Sequence, residues 1–428
     1  MSVVPFLTTY DPPGSSEGTI DPLGLYQIAD QLATRLVPAV RERMQRIRFL
    51  IAMAIGGLVT EGLESDPDQP DAQPFLVWEW LAVEAIVRTL GDDPAVWGVP
   101  GTLVTRDALA EYNYLDHRSY LKTPRIFGFH GVYKRLAIHL GLVDVHLGPR
   151  TESERLVDAW ARDAGHSGLS GCRPLLSKWR RAVERSLTND PARTRPGWQS
   201  DDWAELAELI APHRAKRRER RYLRDALHAA DDRALGALPT IWHLQEGFTE
   251  EDFAEEPLHE RLADELPGYG TLLEAIRAYE RFCRGLHDGF DLLRAAAATA
   301  DATGFEITSI GKDGDFVTSL QDLDRRYEDA HQRLGEIDLQ IAALFDERFA
   351  PFAEPMSAGP CALAICEHHE NIQKHKSADG KRPWFDRLGP NRIYMRHRYR
   401  ESRRPIAPDR FVHEYRGWPI RRFYRDLT

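Results

Sequence analysis

The sequence predicts a mainly α, multi-domain helical protein with an antiparallel helical hairpin and a small basic α+β C-terminal segment. Three observations lead there. At 428 residues the chain exceeds the size at which single hydrophobic cores stop growing, so two or three domains are expected. Hydrophobic residues at 42% and charged residues at 29% belong to folded globular chains rather than disordered ones. Apolar residues recur mostly at helical spacing, with Pro- and Gly-rich breaks between the runs.

Residues 8–14 are turn-rich, and Asp21-Pro22 supplies a cap and a first-turn proline for a helix to about Leu36. Pro38 restarts it, and apolar residues from Val40 through Phe49 to Leu58 mark a second, buried helix. Its most lipid-like run, 49–59, falls well short of the roughly 20 residues that span a bilayer, so no membrane contact is expected. The alternating Asp and Pro of 64–74 read as a linker closing an N-terminal helical segment, 1–63. The four cysteines make no disulfide framework, and Met1-Ser2-Val3-Val4-Pro5 does not open a secretory leader. A reducing cytoplasm is the expectation.

In 75–165, Thr105 is placed to cap a helix through Leu115. Thr123-Pro124 is placed to start another, with Tyr133, Leu136, Ala137 and Leu140 on one face. Residues 141–150 read as a two-stranded wing, and Thr151-Glu152-Ser153-Glu154 as a capping box. Helix, wing, helix is the order of the winged helix-turn-helix family, which this segment resembles. A winged-helix-like domain is expected there, either structural or reading nucleic acid through Lys134 and Arg135, with Lys122 and Arg125 nearby. Residues 166–265 follow as a helical domain with basic clusters. The denser cluster has seven cations within 214–224, and Arg217, Arg218 and Arg221 are its candidates for nucleic-acid contact. Glu205, Glu208 and Asp225 are near enough to neutralise part of it.

Within 266–350, Leu272, Ile276, Tyr279, Cys283, Leu286, Phe290, Leu293 and Ala297 form one heptad seam. Leu323, Tyr327, Ala330, Leu334, Ile337, Ile341 and Leu344 form a second. Between them, 305–308 and 316–318 alternate around Lys312-Asp313-Gly314 as a β-hairpin would. The expectation is a helical arm, 272–344, that grips other protein subunits. Two helices packed in a core fit the same pattern.

Net charge is −10 but unevenly placed: residues 366–428 hold 16 Lys/Arg against 8 Asp/Glu, and the rest of the chain 40 against 58. In the basic segment 351–428, Lys381, Arg382 and Trp384 are followed by Arg392, Arg396, Arg398, Tyr399, Arg400, Arg403 and Arg404. Guanidinium forks suit phosphates and aromatic faces suit bases, so DNA or RNA is the expected ligand. The competing expectation is that these cations clamp the terminus onto the protein's own acidic body.

The richest set of reactive side chains is 361–381. Cys366 and His369 share a helix face and Cys361 could reach them, an alternative metal site; Glu367, His368 and His369 are the raw materials of an alternative metal-dependent nuclease centre. Phosphate-loop, dinucleotide, zincin and nucleophile-elbow motifs are absent from the sequence, so no cofactor is expected.

Two stretches carry a family resemblance. Tyr10-Asp11-Pro12 with 21–30, and His368-His369 with Gln373, Lys376 and Gly380-Lys381-Arg382-Pro383-Trp384-Phe385, resemble an uncharacterised bacterial protein family found in phage-defence gene clusters. The resemblance spans about a tenth of the chain and implies no catalytic residues. It implies a subunit of a multi-protein defence complex, and with the charge pattern it makes a non-enzymatic nucleic-acid-binding subunit the leading expectation. A protein-protein assembly scaffold is a further alternative.

Overall fold

The computed structural model describes residues 21–428 except 92, 94–96, 195–196, 230–234, 250–252 and 377–379. The expected turn at 8–14 and the Tyr10-Asp11-Pro12 stretch lie outside the described residues. Helices dominate, and the named strands form one small antiparallel sheet. Among the described residues no helix is long and apolar enough to cross a membrane. The chain divides into two compact units: Met1–Ala33 with Phe253–Tyr415, and Thr34–Asp252 with Arg416–Thr428.

The first unit is organised on the helix Gly270–Ala298, in which 19 of 29 residues are buried. Its predicted seam packs antiparallel to the helix Leu323–Ile337, with Glu274 paired to Arg333 at 2.9 Å and Arg281 to Asp329 at 2.6 Å. The two helices therefore pair with each other, and the seam of the first is buried within the unit. The second seam breaks at Asp338, whose carboxylate accepts the Gln340 N–H (2.8 Å) and starts a separate helix, Leu339–Phe349. Ile337 and Leu344 are left only half-buried.

No β-hairpin forms at 305–318. Phe305–Glu306 (β1), Phe385–Gly389 (β2) and Arg392–Met395 (β3) make a sheet of order β1-β3-β2, so residues distant in sequence supply β1 with its partner. Gly314–Ser319 is helical because the Asp313 carboxylate accepts the N–H groups of Asp315 and Phe316. The Asp21 carboxylate likewise accepts from Leu25 and Tyr26 (2.9 and 3.0 Å), but the helix begins only at Tyr26 because Gly24, at φ +72, turns the chain first.

In the second unit, residues 37–48 do not continue a helix; the next one, Phe49–Thr60, is buried over nearly its whole surface. Against it lies Pro74–Leu90, whose Trp78 donates its indole N–H to Ala52 O at 2.9 Å. Trp78, Trp160 and Trp179 meet ring to ring in this core. The helix expected from Thr105 runs Thr102–Glu111, and the one expected from Thr123-Pro124 splits into Pro124–Phe127 and Phe129–His139. The two-stranded wing shrinks to a single bridge, Val143 to Pro149, around a turn in which Asp144 Oδ1 accepts from His146 and Gly148. The capping box does not form: Thr151 already lies in the helix Thr151–Asp163, and the Ser153 hydroxyl donates to Leu142 O instead.

One ion pair deep in this unit ties two helices. Arg48, 3% exposed, donates to both oxygens of Glu219 (2.8 and 3.0 Å) and to the carbonyls of Leu209 and Ala211. Burial pushes the Glu219 carboxyl up, and Arg48 draws it back toward the charged form. Losing one partner strands the other charge in a dry interior. Arg48→Met is expected to lower the free energy of unfolding by about 3–5 kcal/mol, measured by urea denaturation, with Arg217→Ala on the exposed side of the Glu219 helix as an unaffected control.

Candidate functional site

Two histidines of the reactive cluster are buried in the first unit. Both lie on the helix Ala358–His375, where Glu367 faces solvent while His368 and His369 turn inward. His368 Nε2 donates to Leu23 O at 2.8 Å. His369 donates from Nδ1 to Pro22 O (2.9 Å) and accepts the Trp384 N–H at Nε2 (3.0 Å), so both of its ring nitrogens are used. Gln373 donates to Pro22 O and Lys376 to Asp21 O. The described parts of the two stretches that carry the family resemblance are thus in contact. Burial pushes His369 down to about 3 and the thiols of Cys361 and Cys366 up to about 12. Cys361, Cys366 and His369 do not gather as a ligand group among the described residues, and Asp379 lies outside them.

Five arginines of the basic terminus pair with nearby acids. Arg382 meets Asp386 (2.8 Å), Arg387 holds Glu370 with both arms of its fork (2.8 and 2.9 Å), and Arg403 binds Asp313 and Asp315. Arg392 and Arg404 stand 3.8 and 3.5 Å from Glu306 and Glu401. Trp384 and Tyr399 are buried and stack on each other at 4.8 Å, with Arg294 over the indole, so neither offers a free face to a base. Arg396 is buried and donates to Pro383 O, and Arg400 lies over Tyr394. Lys381 is half-buried, and Arg398 is exposed without an acidic partner among the described residues. In the other unit, Arg218 pairs with Asp163 and Arg221 with Asp225; Arg135 donates to Pro38 O. Lys134 and Arg217 have no acidic partner among the described residues.

A different site stands out in the second unit. A cavity of about 420 Å³ is lined by Trp80, His117, Tyr120, Lys122, Arg125 and His130, among others. Its organiser is Glu79, fully buried on the helix Pro74–Leu90. Glu79 Oε1 accepts the Tyr120 hydroxyl (2.8 Å), and Oε2 accepts the His130 backbone N–H (2.8 Å) and Nδ1–H (2.6 Å). Gly128 admits this carboxylate to the start of the helix Phe129–His139: a Cβ there would stand 2.0 Å from Oε1. The same insertion splits the helix expected from Thr123. Tyr120 is delivered by a turn in which Asp116 Oδ1 accepts from Arg118 and Ser119. Burial, then the Glu79 charge, holds its phenol well above the usual range, so it stays a donor.

Nδ1–H is held by the carboxylate, and the second ring nitrogen, Nε2, makes no hydrogen bond among the described residues. A carboxylate-oriented imidazole at a cavity wall can give and take a proton. Lys122 and Arg125, both exposed, have no acidic partner among the described residues. Sequence reasoning named these two cations only as lying near the helix expected from Thr123-Pro124. It missed Glu79, Tyr120 and His130, which sit in ordinary apolar or turn contexts; the signal available was a pair of carboxylates, Glu79 and Glu84, inside the apolar run 74–87.

Compared with protein-family models, with curated proteins and with solved structures, the chain shows no match.

Two outcomes are expected from these networks. Glu79→Gln offers one acceptor oxygen to three donors, and should lower unfolding free energy by about 1–3 kcal/mol in urea titrations. His369 is neutral in the fold, so only the unfolded chain takes up its proton as pH drops below about 6.5. Stability should therefore fall on acidification from about pH 6.5 toward 3, by up to about 1.4 kcal/mol per pH unit from this site. His369→Gln, which keeps a donor and an acceptor, should flatten that slope when urea midpoints are compared across pH.

Proposed function

We propose that the protein acts through the cavity of its Thr34–Asp252 unit, holding a phosphate-bearing small molecule there and exchanging a proton with it through His130 Nε2. The observation that carries this reading is His130 at the cavity wall, with Nδ1 anchored on buried Glu79. Lys122 and Arg125 supply the anion selectivity: a compact ammonium beside a guanidinium fork suits phosphate oxygens. This departs from a non-enzymatic role, because an imidazole oriented by a carboxylate is more than a binding surface requires. The test is a titration with inorganic phosphate and with nucleoside monophosphates, following the His130 ring protons by NMR. A saturable shift that is lost in Lys122→Ala/Arg125→Ala supports the proposal. No shift at ligand levels near 1 mM, a binding energy of about −4 kcal/mol, rejects it.

A second reading is a nucleic-acid-binding subunit of a bacterial anti-phage complex. It is favoured by the exposed residues Lys122, Thr123, Arg125, Ile126 and Phe127, with Lys134 on the following helix, which has no acidic partner among the described residues. The order helix, turn, helix across 129–163 would then serve as a reduced winged-helix reader. Oligonucleotide affinity measured against salt separates the two: contact with several phosphates requires a slope of about 0.7–0.9 per phosphate in log K against log salt, and a flat line excludes it.

A further inference from the structure

Another cluster lies in the Phe253–Tyr415 unit, apart from the cavity. Glu280 and Cys283, one helical turn apart on Gly270–Ala298, meet His413 from the segment 411–415, and one ligand atom from each lies within 4.8 Å of the others. Glu280 is 1% exposed and Cys283 0%, while the side chain of His413 keeps 11% of its surface open. Glu280 Oε1 accepts from His413 Nδ1 (2.7 Å) and from the Tyr415 hydroxyl (2.6 Å); Oε2 accepts from the backbone N–H groups of Val412 and His413. The Tyr279 hydroxyl, one turn from Cys283, donates to Leu25 O at 2.6 Å. A buried imidazole, His259, stands edge-on to Tyr415 at 5.4 Å; neither of its ring nitrogens makes a hydrogen bond, though Nε2 is 3.5 Å from Glu255.

We propose that Glu280, Cys283 and His413 form a zinc site. Two facts besides proximity support it. One is the donor set, a carboxylate oxygen, a sulfur and an imidazole nitrogen: a borderline-soft ion takes all three, whereas calcium or magnesium would reject the sulfur and the nitrogen. The other is charge. Zinc with one carboxylate and one thiolate is neutral, the condition a site this buried must meet. On binding, the thiol proton leaves for solvent, and His413 presents the Nδ1 lone pair with its proton on Nε2. The ion thereby takes the place of the proton now shared between His413 and Glu280. Three protein ligands leave a fourth position, as catalytic rather than closed structural zinc sites do, and the exposed edge of His413 is the way in.

The test uses the full chain, dialysed against zinc and then against metal-free buffer, with metal content measured by mass spectrometry; a parallel sample is loaded with cobalt(II). One zinc per chain and a thiolate-to-cobalt charge-transfer band in the near ultraviolet are expected. Cys283→Ser should abolish the band, and His413→Gln, at the open edge where folding is least at risk, should weaken zinc binding at least about tenfold. Absence of the band from the wild-type chain, or full zinc retention by His413→Gln, overturns the proposal. Wild-type spectra alone decide the matter if Cys283→Ser fails to fold.

Discussion

A carboxylate taken out of water costs several kcal/mol unless donors are brought to it, and in this protein that demand shapes the loops. Glu79 collects Tyr120 and the start of the helix Phe129–His139, and so builds one wall of the cavity. Glu84, one and a half turns on, takes Arg88 and the Thr194 hydroxyl, and Thr194 in turn holds Leu115 by backbone and side chain. The turn that delivers Tyr120 is therefore anchored close to both ends by carboxylates of a single helix. Glu219 and Glu280 do the same work elsewhere, the first on Arg48 and the second on residues 412–415.

This accounts for what was legible in the sequence and what was not. Helical class was legible because it depends on local spacing: the seam from Leu272 to Ala297 is buried as the 4-and-3 pattern requires. The β-hairpin at 305–318 was misread because alternation over a few residues carries no information about the partner strand, and β1 finds it at Ile393 and Arg392. The helix starting at Thr123 was misjudged for a related reason. Nothing local announces that a glutamate from 49 residues upstream will enter at Gly128.

Charge was misjudged through averaging. The excess of 16 cations over 8 acids in residues 366–428 is a true property of the segment, yet ion pairs form between neighbours in space. Glu370, Asp386 and Glu401 lie within the segment, and Glu306, Asp313 and Asp315 come from the β1 region, so most of the named arginines reach an acid. Exposed pairs of this kind add little stability. Their effect is to occupy five arginines of the terminus, whereas Lys122 and Arg125 beside the cavity have no acidic partner among the described residues.

The same contrast separates the two groups of metal-ligating residues. Cys361, Cys366 and His369 are dense in sequence but share one helix, whose 100° per residue turns the two cysteines about 140° apart. A helix by itself presents only two useful ligands to one point, at i and i+3 or i+4. Glu280 and Cys283 have that spacing, and the third donor comes from His413, 130 residues later. Convergence of this kind needs a second chain segment, and what brings the second segment here is the demand of buried Glu280 for donors. The rule that places the cavity histidine thus also places the third zinc ligand: a buried carboxylate recruits a distant segment, and the side chain that arrives with it acquires a fixed orientation that no local pattern encodes.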